Sequence, residues 1–162
     1  MRNVLLWLLA AVLFPVAGSQ SLAQVKADFA GQWELLEGIP DSPLFRDGRI
    51  EQDAGTITLT TTTPNPLFRE PRVFRFDGTE TTYTHRNVRG DETWVLVSTA
   101  RWIGAALHVT TVTTRSGAQT FIPAWESLMT LSIDDAGRLV LVRTEPTVQG
   151  TLATIRAVYR KK

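Results

Sequence analysis

From Gly31 to the C-terminus, apolar and polar residues repeat with a period near two rather than 3.6, the alternation of strands with one buried face. Gly31–Glu37 alternates weakly and is expected to be the first strand. Thr56–Thr63 is β-branched nearly throughout, which suits a pleated strand and crowds a helix. In Arg72–Phe76, Phe74 and Phe76 share one face and Val73 and Arg75 the other, with the Phe face expected inward. The clearest case is Trp94, Leu96, Ser98, Ala100 and Trp102 on one side of a strand, opposed by Val95, Val97, Thr99 and Arg101. Trp125, Met129, Leu131 and Ile133 share a side further on. In the last strand, Ala153, Ile155, Ala157 and Tyr159 form the more apolar face.

Turn chemistry punctuates these runs. Asp53-Ala54-Gly55 is expected to make a hairpin with Gly55 at positive φ, and Asp77-Gly78 turns the chain towards Glu80–His85. Ile103-Gly104 marks a central hairpin. An even-length loop there sets Trp102 and Ala100 beside Leu107 and Val109 and turns His108 the other way, next to Arg101. Gly117 is expected to start the following strand, with Pro123 bending it. At Asp135-Ala136-Gly137 an odd count aligns Leu139 and Leu141 with Leu131 and Ile133, so the hydrophobic match selects a three-residue turn. Gly38–Asp47 contains Pro40 and Pro43 and is expected to be a loop able to fold over a barrel mouth.

About ten strands joined by short turns, with no helix after the N-terminal segment, predict an all-β fold. The expected form is an antiparallel up-and-down meander barrel of about 8–10 strands, with a β-sandwich as the alternative. A barrel is preferred because short connections let the meander close and remove its edges.

The N-terminal segment has a different character. Met1-Arg2-Asn3 precedes an apolar run from Val4 to Ala17, and Ser21-Leu22-Ala23 offers small residues at cleavage positions, so residues 1–23 read as a signal peptide. A spanning helix wants about 20 apolar residues, and this run is interrupted by Pro15 and Gly18. The mature chain, residues 24–162, is then one domain, secreted or periplasmic, without stable membrane insertion. The sequence has no cysteine, which removes disulfides, thiolate metal sites and a lipid-attachment cysteine. The formal charge of +1 loses Arg2 on cleavage, leaving a nearly neutral chain with no basic stripe of the kind nucleic acids require.

Asp28-Phe29-Ala30-Gly31-Gln32-Trp33 resembles the Gly-x-Trp motif that opens lipocalin and calycin barrels, and the strand-turn-strand layout resembles small secreted bacterial lipocalin-like proteins of unassigned function. That resemblance implies Trp33 near the closed end of the barrel, with a last-strand arginine, Arg156 or Arg160, packed across it. Glu34 stands where an aromatic commonly follows that Trp.

Candidate chemistry is sparse. His85 and His108 lie in separate strands without metal-ligand spacing, so no metal or cofactor is expected. No Gly-x-Ser-x-Gly or phosphate-binding glycine loop occurs, and the threonines follow strand propensity. Glu126 alternates with Trp125 and should face outward. The aromatics Trp33, Phe74, Phe76, Trp94, Trp102, Trp125 and Tyr159 are the candidate ligand-binding residues, because a barrel of this size either fills with side chains or holds one small ligand. The leading expectation is a barrel binding a small apolar or amphipathic molecule. A solid barrel acting as an envelope or interaction module is the alternative, and an enzyme using the cavity comes third. Expressed in a Gram-negative host, the exported protein is expected to start at Gln24 by N-terminal sequencing; a periplasmic product retaining residues 1–23 contradicts the signal-peptide reading.

Overall fold

A computed structural model describes residues 26–38, 46–61, 70–86, 90–117, 123–147 and 149–162. Residues 1–23, expected to be a signal peptide, and most of the Gly38–Asp47 loop lie outside these residues. Ten strands are formed: β1 (Gly31–Glu37), β2 (Asp47–Gln52), β3 (Thr56–Thr61), β4 (Arg72–Arg75), β5 (Thr81–Arg86), β6 (Thr93–Ile103), β7 (Ala106–Ser116), β8 (Trp125–Ile133), β9 (Leu139–Pro146) and β10 (Leu152–Lys161). They make one sheet in the order β4-β3-β2-β1-β10-β9-β8-β7-β6-β5, with every ladder antiparallel. The fold is therefore an up-and-down meander barrel, joined by its first and last strands and left unladdered only between β4 and β5.

Register follows the hydrophobic match. Trp102 pairs with Leu107 and Ala100 with Val109 around the two-residue turn Gly104–Ala105, where Gly104 has φ 67°. Arg101 pairs with His108 on the outer face. Leu131 faces Leu141 and Ile133 faces Leu139 across the three-residue turn 135–137, with Gly137 at φ 73°. The Asp134 carboxylate secures that turn by accepting from the Ala136 and Arg138 amides, at 3.0 and 2.9 Å.

Two local expectations fail for physical reasons. Gly55 is not at positive φ. The β2–β3 turn is shaped instead by Asp53, whose carboxylate accepts from the Gly55 and Thr56 amides at 2.7 and 2.6 Å and from the Thr56 hydroxyl at 2.9 Å. These bonds, led by the one from Gly55, hold the Asp53 carboxyl below its usual range. Nor does Gly117 start a strand. It follows the end of β7 at φ 86°, and β8 begins at Trp125.

Inward residues fall into rows across neighbouring strands. Trp102, Leu107, Leu131, Leu141 and Ala157 succeed one another through consecutive ladders, and all but the partly buried Trp102 are fully buried. Two rows higher, Ser98, Thr111 and Ser127 are buried polar residues, and the Ser98 and Thr111 hydroxyls share a hydrogen bond of 2.8 Å. On β6, β7 and β8 this belt separates the buried apolar rows from the strand ends that carry Trp94, Thr113 and Trp125, whereas on β9 the row of Met129 already meets Arg143.

The lower end is sealed by the segment before β1. Phe29 is fully buried and stacks on Trp102, with ring centroids 5.5 Å apart and planes 3° apart. Phe76 meets the same indole edge-on at 5.3 Å. The Phe29 amide donates to Gln52 Oε1, Gln52 Nε2 donates to the Ala27 carbonyl, and Trp33 Nε1 donates to the Phe29 carbonyl at 2.8 Å. Trp33 is buried near the closed end, but neither Arg156 nor Arg160 crosses it. Trp33 pairs with Lys161, whose ammonium lies 5.7 Å from the indole centroid. Arg156 and Arg160 alternate outward and pair with Glu37 and Glu34.

A Cβ added at Gly117 meets the Asp91 carbonyl oxygen at 1.9 Å, in a backbone conformation that already disfavours a side chain. Gly117→Ala is expected to lower stability by about 1–3 kcal/mol, read from urea denaturation. An unchanged midpoint contradicts this close approach at the β6–β7 end.

Candidate functional site

Above the polar belt the strands no longer fill the interior. A chamber of about 300 Å³ is lined by Arg72, Tyr83, His85, Trp94, Leu96, Thr113, Trp125, Arg143, Glu145 and Pro146. Strand alternation puts them there. Tyr83 and His85 lie opposite Leu96 and Trp94, and Leu96 and Thr113 are paired in turn, followed by Thr113 and Trp125. Arg72 points inward because it stands two residues before the buried Phe74, and Arg143 because it stands two after the buried Leu141.

Trp94 and Trp125 form one wall, edge to face with centroids 5.8 Å apart. Arg115, the ladder partner of Trp94 on the same face, has its guanidinium 5.0 Å from the Trp94 ring centroid and is ion-paired with Glu92. Arg143 Nη2 and Glu145 Oε2 are 2.7 Å apart, with side chains only 14% and 23% exposed. Burial lowers the Arg143 pKa, and Glu145 opposes that shift. Arg72 is driven further, down to about 10, by burial first and by the Arg143 charge second, while Tyr83 pulls the other way. Burial, together with Glu70, raises the Tyr83 phenol, keeping it a neutral hydrogen-bonding group.

A second cavity, of about 410 Å³, lies at the unladdered seam. Its lining comes from β4 and the residue before it, from Glu80 to Tyr83, and from Ser98. Arg72 and Tyr83 belong to both cavities, so they stand where the seam meets the chamber. Beyond the end of β4, Phe76 meets Trp102 edge-on and its amide donates to the Gly55 carbonyl at 2.9 Å, extending the pairing with β3.

The seven aromatics singled out from sequence are divided between these regions. Trp94 and Trp125 line the chamber, and Phe74 lines the seam cavity while packing into the core. Trp33, Phe76, Trp102 and Tyr159 belong to the lower core and its closed end, away from either cavity's lining. The hollow region is thus less aromatic and more charged than expected. Arg72, Arg143 and Glu145 follow from inward parity with Phe74 and Leu141 but are absent from the aromatic set; Tyr83 has no sequence signal of its own, and His85, considered only for metal ligation, lines the chamber. His85 and Glu145 put an imidazole and a carboxylate in the chamber; His108 and Glu126 stay on the outer face.

Among the described residues no group of three or more His, Asp or Glu side chains is arranged to hold a metal ion, and no helix is long and apolar enough to cross a membrane. The chain matches no family model and no curated protein.

The Arg143–Glu145 pair keeps two neighbouring arginines from standing uncompensated in one chamber. Glu145→Gln is expected to lose about 1–3 kcal/mol in urea denaturation, less than a fully buried pair because both groups still meet water. The double variant Arg143→Met/Glu145→Gln is expected to recover most of that loss. Equal midpoints for the wild type and Glu145→Gln contradict the pairing.

Proposed function

We propose that this protein is a secreted or periplasmic lipocalin-like barrel that binds one small amphipathic molecule in its upper half. The observation that carries the reading is the contrast between the two halves. The lower half is filled to its closed end by Phe29, Trp33, Trp102 and Tyr159, whereas the upper half retains a chamber of about 300 Å³ walled by Trp94, Trp125 and Leu96. Few voids larger than a water persist in packed interiors, and ligand pockets begin at about this size. A chamber with an aromatic wall and a few polar groups has the composition that orients a bound molecule.

The compartment rests on the composition of residues 1–23, and the lipocalin likeness rests on the Gly31-Gln32-Trp33 motif and the meander order. A role centred on the outer surface has less support. Among the described residues the exposed large apolar side chains Leu36, Val73, Ile103, Val112, Leu128 and Leu152 are dispersed over six strands, and the ladder partners of Val112 and Leu128 are the polar Glu126 and Thr110.

Titration with 2-naphthol, a compact aromatic alcohol, is expected to change the tryptophan fluorescence saturably at one site per chain. Leu96→Trp, which fills the chamber, is expected to weaken that binding at least about tenfold, the loss of about 1.4 kcal/mol of contact, while the urea midpoint shifts little. Unaltered binding in Leu96→Trp overturns the placement of the ligand in the chamber.

A further inference from the structure

The chamber holds a charge that its described lining residues do not neutralise. Arg72 Nε is cut off from solvent and has no hydrogen-bond partner among the described residues. The carboxylate lining the same chamber, Glu145, is held by Arg143 at 2.7 Å. The other nearby pair, Arg115 with Glu92, is internally balanced. Among the described lining residues, two arginines stand against one carboxylate, an excess of one positive charge on the chamber wall.

Such a charge is costly in a partly dehydrated place, and the cost falls when a buried cation gains an opposite charge with hydrogen bonds. Burial and the neighbouring Arg143 charge both depress the Arg72 pKa, as expected for a cation awaiting a counter-ion. The face of Phe74 lies 5.2 Å from the guanidinium carbon and the Tyr83 phenol acts on the Arg72 charge, but Arg72 Nε itself has no hydrogen-bond partner among the described residues. Its position is also suited to a ligand, since it borders both the chamber and the seam cavity.

We infer that the molecule bound here is a monocarboxylate with a compact, flat apolar body, its carboxylate received by Arg72 with Arg143 behind it and its body laid against Trp94 and Trp125. This rests on the upper half being the binding chamber. A carboxylate fits for two reasons: its single negative charge equals the chamber's net positive charge, and its two oxygens match the planar fork of a guanidinium. A dianionic head group would confront Glu145 with one negative charge in excess.

The test compares 2-naphthoate, 2-naphthamide and 2-naphthyl phosphate by calorimetric titration of the full mature chain at pH 7.5. The carboxylate is expected to bind about 10–100-fold more tightly than the amide of the same shape, the range for a charge-assisted hydrogen bond gained on binding. The phosphate, close to a dianion at this pH, is expected to bind more weakly than the carboxylate. In Arg72→Met the ratio of carboxylate to amide affinity is expected to fall to near one. The thermal midpoint of unliganded Arg72→Met is expected to equal or exceed that of the wild type, because the variant removes an uncompensated charge; a purely structural arginine gives the opposite shift. Equal affinity for naphthoate and naphthamide, or an undiminished ratio in Arg72→Met, overturns the inference while leaving the chamber as a binding site. Tighter binding of the phosphate overturns the choice of carboxylate. Failure of all three compounds to bind overturns the chamber reading as well.

Discussion

The ladder between β1 and β10 is the constraint on which the other features depend. A meander of ten strands can remain an open sheet, with two long edges exposed to other chains. Pairing Trp33 with Lys161, Glu34 with Arg160 and Leu35 with Tyr159 brings residues more than 120 positions apart into register and curls the sheet into a barrel. The same pairing decides which end is sealed. Phe29, just upstream of β1, is carried under the barrel to stack on Trp102 of β6, across the interior. A contact of this sequence separation is entropically expensive to form, and the buried lower core is what offsets it.

Once that end is closed, the chemistry changes from row to row along the axis. Leucine, valine and aromatic rings fill the bottom, a belt of Ser98, Thr111 and Ser127 crosses the middle, and the top carries tryptophan together with arginine, glutamate and histidine. Polar groups of this kind are tolerated inside because the upper half is not fully packed and some water or ligand can reach it. The seam between β4 and β5 fits the same division. It opens beside Arg72, at the end of the barrel where packing is already incomplete.

Much of this architecture is legible in the residue pattern because the side-chain period of a strand is two and errors of register invert whole faces. That reasoning recovers the pairing of Trp102 with Leu107 and the three-residue turn before Leu139. It also places Arg72 and Arg143 inside, by counting two residues from Phe74 and Leu141, but hydrophobic matching gives weight to apolar residues and so overlooks inward charges. Other features depend on contacts that local pattern does not encode. Gly55 suggests a positive φ, yet the Asp53 carboxylate shapes that turn. The cation over Trp33 is Lys161 and not an arginine, because the register of the last strand against the first is set by the whole intervening meander. The division of seven similar aromatics into core and chamber likewise depends on how far each lies along the barrel axis.

The four tryptophans of the described barrel make the division between a sealed lower half and a ligand-bearing upper half directly measurable. In two-dimensional proton–nitrogen NMR each indole N–H gives its own signal, and Trp94 and Trp125 report on the chamber while Trp33 and Trp102 report on the closed end. On titration with 2-naphthol the account predicts saturable shifts of the Trp94 and Trp125 signals with those of Trp33 and Trp102 nearly still. Shifts concentrated at Trp33 and Trp102, or four unmoved signals at saturating ligand, contradict it.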